Sequence, residues 1–481
     1  MEGFGMDAEK TTSLSVRQAD DSFAGLHVHM IGIGGSGMRA IASMLQRQGA
    51  SVSGSDAVLS STIDRLVREG VDVQIGHQGG NIPDQCDIVV YSVAVHEQNP
   101  ELVRAREGGI ETLKYSQMLG ALMESKVGVA IAGTHGKSTT TGMLAYAIRH
   151  AGLDPSYIVG ASVGQLGGPS DVGAGKHFVA EACEYDRSFL NLSPKIGVIL
   201  NIEEDHLDCY RDIDDIVEAF KAFAGRVGSE GLLVLNGEDR HCLAVARSAR
   251  CEVQTFGMSD DCDWQGHVIR HDRGRVVMNV TFRGAPFCKI TTPLAGLHNA
   301  YNTLACIAVL YHTGIEFRGI PYRLQNFKGA HRRMTFKGTG NGVHVVDDFA
   351  HHPTEIQATL RALREAYDPK RLICVFQPHQ HSRTRFLLKD FARSFGAADE
   401  VILPDIYFVR DSAREKDHIS ASDLAAQIRL NGGAAQYLET FERIIHHLQE
   451  HLRDGDLLVT MGAGDVWEIA NEIVQWLGID R

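Results

Sequence analysis

The sequence predicts an α/β protein built as three successive domains. Three observations carry that expectation. Apolar runs of strand length alternate with amphipathic stretches of helix length, the rhythm of parallel sheets flanked by helices. Two glycine-rich turns, at 32–37 and 133–136, each follow an apolar run and open a helical stretch. The chain has 481 residues, about three times the ~150 of an ordinary domain.

Taken in order, residues 1–23 mix Glu2, Asp7, Glu9, Lys10, Asp20 and Asp21 with serine and threonine. They lack the basic start and apolar middle of a signal peptide and read as a flexible tail. The first domain, 24–125, has strands at 27–33, 51–55 and 87–92 and helices at 38–46, 62–69, 99–107 and 119–126. The second, 126–328, opens on a strand at 127–132 and continues with strands at 177–182, 196–201 and 231–235. Alternation of β type then runs over 252–291, clearest at 276–282, and a helix at 298–311 closes it. A polar link at 326–330 leads to the third domain, 329–481, with strands at 343–346, 372–376, 400–403 and 457–461 and helices at 353–366, 441–451 and 465–477.

Composition excludes several classes. Acidic residues (60) outnumber Lys and Arg (47), so the surface as a whole repels polyanions and a nucleic-acid partner is not expected. No apolar run approaches the length of a membrane span. The nine cysteines are odd in number and form no CxxC pair, which fits reduced thiols in a cytoplasmic protein. An anionic ligand must be held by local sites.

The strongest such site is Gly133-Thr134-His135-Gly136-Lys137-Ser138-Thr139, between an apolar strand and a helical stretch. Glycines let backbone amides close around phosphate oxygens, the helix N-terminus adds partial positive charge, Lys137 reaches the terminal phosphates and the Ser138 hydroxyl can join Mg2+. Two fewer residues separate the glycines than in GxxxxGK[ST], so this is a variant loop for ATP. Glu181 and His206, each following a buried strand, are candidate metal ligands; a solvated turn is the alternative reading of both. In the first domain, Gly32-Ile33-Gly34-Gly35-Ser36-Gly37 with Asp56 at the end of the next strand suits a dinucleotide or any other diphosphate-linked nucleotide. In the third, 347–353 and 377–385 gather acids, imidazoles and guanidiniums at two strand ends, fitting a carboxylate or phosphate site or a polar loop that caps helices. Arg332 and Arg333 follow the polar link. On residues alone, an NAD-dependent oxidoreductase and a nucleotide-regulated binding protein stand beside an ATP-dependent ligase.

The motifs GIGGSGM, AGTHGKSTTT, NIEEDHLD, GLHNAYN, DDFAHHPTE, QPHQHSRT and TMGAGD, in this order from residue 27 to the C-terminus, resemble those of the Mur ligase family of cell-wall enzymes, most closely its L-alanine-adding branch. The resemblance implies a Rossmann-like N-terminal domain, a central P-loop ATPase-like α/β domain and a Rossmann-like C-terminal domain. It implies ATP-dependent joining of L-alanine to UDP-N-acetylmuramate, with Mg2+. By the same likeness Gly34, Gly35, Ser36 and Gly37 lie near the UDP diphosphate, Asp56, His77 and Ser92 near the nucleoside, and His379 near the sugar nucleotide. Gly133 to Thr139, Asn299, Asn302, Arg332 and Asp348 would hold ATP. Ser138, Glu181 and His206 would hold metal, and Lys137, His352 and Arg383 would serve catalysis. One departure stands out: where the family reads EADESD, this chain has Glu181-Ala182-Cys183-Glu184-Tyr185-Asp186. EYD and DDFAHHPT are also similar to the related ligase that recycles a whole tripeptide.

Overall fold

Each glycine-punctuated strand and helix series becomes a sheet in the computed structural model, which describes residues 23–409 and 411–479. The expected tail at 1–22 lies outside the described residues, and Phe23 is buried. The chain divides into two units between Lys126 and Val127.

The first unit holds β1 (His27–Ile31), β2 (Ser51–Asp56), β3 (Asp72–Ile75), β4 (Ile88–Tyr91) and β5 (Glu111–Lys114) in one parallel sheet ordered β3-β2-β1-β4-β5. The central strands are apolar and buried because helices cover both faces of such a sheet. The edge strands β3 and β5 are four residues long and carry polar residues, too short for periodicity to reveal. Strand order reverses between β1 and β4, so the loop at Gly32 and the turn at Ser92 meet at a switch point, where open α/β sheets bind ligands.

The second unit contains two sheets. The larger is formed by β6 (Val127–Ala132), β7 (Ser156–Val163), β8 (Gly168–Asp171), β9 (His177–Glu181), β10 (Ile196–Ile199), β11 (Leu232–Asn236), β12 (Glu252–Gly257), β13 (Trp264–Asp272), β14 (Arg275–Phe282) and β15 (Ala285–Ala295), ordered β15-β14-β13-β12-β11-β10-β6-β9-β7-β8. Strand β6 runs parallel between β9 and β10. The ends of these three strands therefore bring the glycine loop, Glu181 and Asn201 to one edge. Helices Lys137–His150 and Leu297–Tyr311 are buried along most of their length, consistent with their apolar sequences.

The third sheet is ordered β16-β17-β21-β18-β19-β20, from β16 (Thr335–Gly340), β17 (Val343–Asp348), β18 (Arg371–Phe376), β19 (Glu400–Leu403), β20 (Ala435–Tyr437) and β21 (Asp456–Met461), with only β16 antiparallel. Within β18, Leu372, Cys374 and Phe376 enter one core while Ile373 and Val375 enter the other. A continuous apolar run thus supplies both faces through the two-residue strand period. Helices Ile213–Ala224 and Ala421–Leu430 were not anticipated, although Asp212 and Ser420 cap them through Asp215 N–H and Asp423 N–H, a legible start signal. Among the described residues no helix is long and apolar enough to cross a membrane.

Candidate active site

The loop after β6 is built for close approach. Gly136 caps helix Lys137–His150 at φ 84°, and a Cβ there would lie 2.8 Å from the Asn302 side-chain oxygen. Asn201, after β10, accepts the His135 N–H at 2.7 Å through its side chain and the Thr134 N–H at 3.1 Å through its carbonyl. Lys137 Nζ donates to the Gly133 and Thr134 carbonyls at 2.6 and 3.1 Å and to Glu184 at 2.9 Å. Burial opposes the charge on Lys137, but neighbouring Glu184 and Glu181 help to hold its pKa above the ordinary lysine value. Glu184 is itself buried, its Oε1 is 3.7 Å from His206 Nε2, and among the described residues its Oε2 has no hydrogen-bond partner.

A cavity of about 760 Å³ adjoins this loop, lined by His135, Gly136 and Thr139, by Asn299 and Asn302 of helix Leu297–Tyr311, and by Asp348 at the end of β17. Contacts from helices beside the third sheet join it to the loop region. Thr354 donates to Glu203 at 2.6 Å, the His352 Nε2–H to the Glu204 carbonyl at 3.2 Å, and Arg383 to Asp205 at 2.7 Å. Burial disfavours ionisation of Asp205, but Arg383 and three neighbouring histidines hold its carboxyl well below the usual range. His135 lies between Glu203 (3.3 Å) and Glu355 (3.2 Å); their charges outweigh burial and push its pKa up to about 10, while Glu203 falls to about 2. Burial and the nearby His135 charge lower the pKa of His352.

In the first unit, the Gly34 N–H donates to Asp56 at 2.8 Å, and a Cβ at Gly34 would meet that carboxylate. Beneath the loop, the fully buried Glu101 accepts from the Ser55 hydroxyl at 2.7 Å and Asn81 at 2.9 Å, and lies 3.0 Å from His29 and 3.2 Å from His77.

Family models of the Mur ligase family, catalytic domain (27–127), the Mur ligase middle domain (131–310) and the Mur ligase, glutamate ligase domain (332–464) match in that order. The UDP-N-acetylmuramate--L-alanine ligase of Alkaliphilus metalliredigens is 43% identical over 451 residues, 93% of this chain and 97% of the relative. The chain belongs to the Mur ligase family. The Caldanaerobacter subterraneus subsp. tengcongensis UDP-N-acetylmuramate--L-alanine ligase is 41% identical over 93% of this chain and 97% of its own. Among solved structures, the UDP-N-acetylmuramate-alanine ligase of Thermotoga maritima superposes with a TM-score of 0.77 at 25% identity, covering 94% of this chain and 99% of its own. A murein peptide ligase from Psychrobacter arcticus gives 0.69 at 25% identity, covering 95% and 100%.

In this Mur ligase the structure brings together most of the residues read from sequence. The loop 133–139, Asn299, Asn302 and Asp348 share one region of the second unit, with His352 and Arg383 bridged to the chain after β10. Gly34, Gly35, Gly37, Asp56, His77 and Ser92 cluster on the first unit's sheet ends, where Ser36 starts helix Ser36–Arg47. His379 lies in the second unit, stacked on Tyr407.

One expected placement differs. Arg332 does not line the cavity: it donates to Asp347 and to the Gly462 and Gly464 carbonyls, and Arg333 takes its place on the wall. Glu181 accepts the Gly160 N–H, and Glu184 is the carboxylate that bonds Lys137. The chain turns sharply after Glu184, with Asp186 and Arg187 at φ 51° and 52°, a reversal that strand-end spacing does not reveal. Sequence reading also missed Glu101, which resembles an ordinary acid in a helix first turn. Asn201, Glu203 and Glu355 were missed because their partners are distant in the chain.

Proposed function

We propose that this Mur ligase joins L-alanine to the carboxylate of UDP-N-acetylmuramate, consuming ATP, in the cytoplasmic synthesis of cell-wall precursor. The observation that carries the reading is the phosphate loop, with its half-buried Lys137 paired to Glu184, beside a cavity walled in part by the end of β17. The near full-length likeness to L-alanine-adding ligases supports the substrate pair. We assign the domains to 24–125, 126–328 and 329–481. The first holds the UDP portion through Gly34 to Gly37, Asp56, His77 and Ser92. The loop 133–139 holds the triphosphate, and Asn299, Asn302 and Asp348 hold the nucleoside.

A free carboxylate is a poor acyl donor, so the γ-phosphoryl group is first moved onto it, and the amine of alanine then displaces phosphate. The approach of two anions costs about 4 kcal/mol at 4 Å in an effective dielectric of 20. Lys137 lowers that cost by swinging from the loop carbonyls to the terminal phosphate. Ser138, Glu181 and His206 would hold a magnesium ion, and the buried Glu184 beside His206, whose Oε2 has no hydrogen-bond partner among the described residues, supports a cation there; the ion would neutralise phosphate charge. Arg383 positions the chain after β10 through Asp205. His352 has both nitrogens engaged, Nε2 to Glu204 and Nδ1 to the Thr354 N–H, so it accepts the alanine proton only if one of these bonds opens.

The test is ATP turnover with UDP-N-acetylmuramate against L-alanine, glycine, L-serine and the L-Ala-D-Glu-diaminopimelate tripeptide. Turnover with L-alanine that falls by about 10³-fold in Lys137→Ala is the expected result. Preference for the tripeptide would move the chain to the recycling branch, and an active Lys137→Ala would overturn the loop assignment.

A further inference from the structure

Glu203, after β10, faces two imidazoles from different parts of the second unit: His135 of the phosphate loop and His352 at the start of helix Pro353–Tyr367. One potential ligand atom from each lies within 4.8 Å of the others. His135 Nε2 is 3.3 Å and His352 Nδ1 3.8 Å from Glu203 Oε2, with ring centroids 4.7 Å apart. Neighbouring ligands around a tetrahedral ion with bonds of about 2.1 Å are about 3.4 Å apart, so two of the three edges are already near that size.

The outer partners give the cluster its direction. His135 Nδ1 is 3.2 Å from the Glu355 carboxylate, and His352 Nε2 donates to the Glu204 carbonyl at 3.2 Å. Each ring is held from outside through one nitrogen while the other is turned toward Glu203, the arrangement in which a carboxylate or carbonyl orients a metal-binding histidine. Glu203 and Glu355 supply two negative charges, matching a dication. An ion would replace the proton that His135 Nε2 shares with Glu203 at 3.3 Å, which leaves to solvent on binding, together with the contacts of the Thr354 N–H to His352 Nδ1 at 3.3 Å and of the Thr354 hydroxyl to Glu203 at 2.6 Å.

We propose that His135, Glu203 and His352 form a transition-metal site that takes Zn2+ or Co2+ through two imidazole nitrogens and one carboxylate oxygen. The donor set favours these ions over Mg2+, which prefers oxygen ligands. The site is separate from the magnesium position proposed at Ser138, Glu181 and His206. Because His135 and Glu203 also line the cavity beside the phosphate loop, an ion bound here fastens that loop to helix Pro353–Tyr367.

The full chain, stripped of metal with a chelator, is titrated with Co2+ in excess Mg2+ and followed by its visible d–d absorption, with Zn2+ as competitor. The expected result is one equivalent of Co2+ with the strong bands of a four- or five-coordinate site, displaced by Zn2+ and not by Mg2+. Glu203→Gln and His352→Gln should each weaken binding by at least about 10-fold, as should Glu355→Gln through the orientation of His135. His206→Gln should leave it unchanged. Circular dichroism checks that each variant is folded, and Glu203→Gln preserves side-chain volume. Absence of stoichiometric binding, displacement by Mg2+, or equal affinity in Glu203→Gln and His352→Gln would overturn the site and leave the cluster as an ion-paired bridge. The readout is spectroscopic and does not depend on the ligase reaction.

Discussion

Asp348 ends β17 with its carboxylate enclosed, accepting the Met334 N–H at 2.6 Å and the Ala350 N–H at 2.8 Å. Burial pushes its pKa up to about 6 against the pull of Arg333. The folded-state value lies above the unfolded one, so its contribution to stability is fully present below about pH 4 and is lost as pH rises through about 6. Asp348→Asn should remove that slope: between about pH 4 and pH 7 the unfolding free energy of the variant should gain about 2 kcal/mol relative to the parent. Denaturant melts across that range measure it, and parallel curves would show an ordinary carboxyl.

At the scale of elements, the phosphate loop depends on its glycines and the join to the third sheet on ion pairs. Gly136→Ala places a methyl group at φ 84° against Asn302, so a loss of about 1–3 kcal/mol and weaker binding of an ATP analogue are expected. Gly396→Ala, in open space, should stay within about 0.5 kcal/mol of the parent. Equal stability of the two variants would show that the loop relaxes around the added methyl. Arg383 and Asp205 are both about nine-tenths buried, and removal of one partner leaves an uncompensated charge. Arg383→Gln should therefore cost about 3–5 kcal/mol, and Asp205→Asn combined with it should cost markedly less than the two single losses added. Strict additivity in this double-mutant cycle would mean that the pair does not couple the two elements.

For the whole molecule, the described apolar clusters each lie on one side of residue 126. One is made from Ile31, Val89 and Leu102, and the others begin at Val129. Separate cores predict separable unfolding. In calorimetry UDP-N-acetylmuramate should raise one transition and a nonhydrolysable ATP analogue another, each by about 2.7 kcal/mol at a ligand concentration of 100 Kd. A single transition raised equally by either ligand would show that the units unfold as one.

The amino-acid sequence by itself determined the α/β class, the strands and helices with a full apolar period, and the two glycine loops, because these follow from burial and backbone freedom over a few neighbouring residues. It also placed Lys137, Asn299, Asn302 and Asp348 in motifs whose order identifies the family. Short polar edge strands such as β3 and β5 escaped, since four residues do not establish a period. Tertiary structure alone decided that Glu184 meets Lys137 while Glu181 turns to Gly160, that Arg332 is taken up by Asp347 and the 462–464 backbone, and that Glu101 underlies His77. It also set His135 between Glu203 and Glu355 and joined Arg383 to Asp205. Such pairings bring together residues far apart in the chain, and the direction a side chain takes at a strand end depends on turns and neighbours that local spacing does not encode.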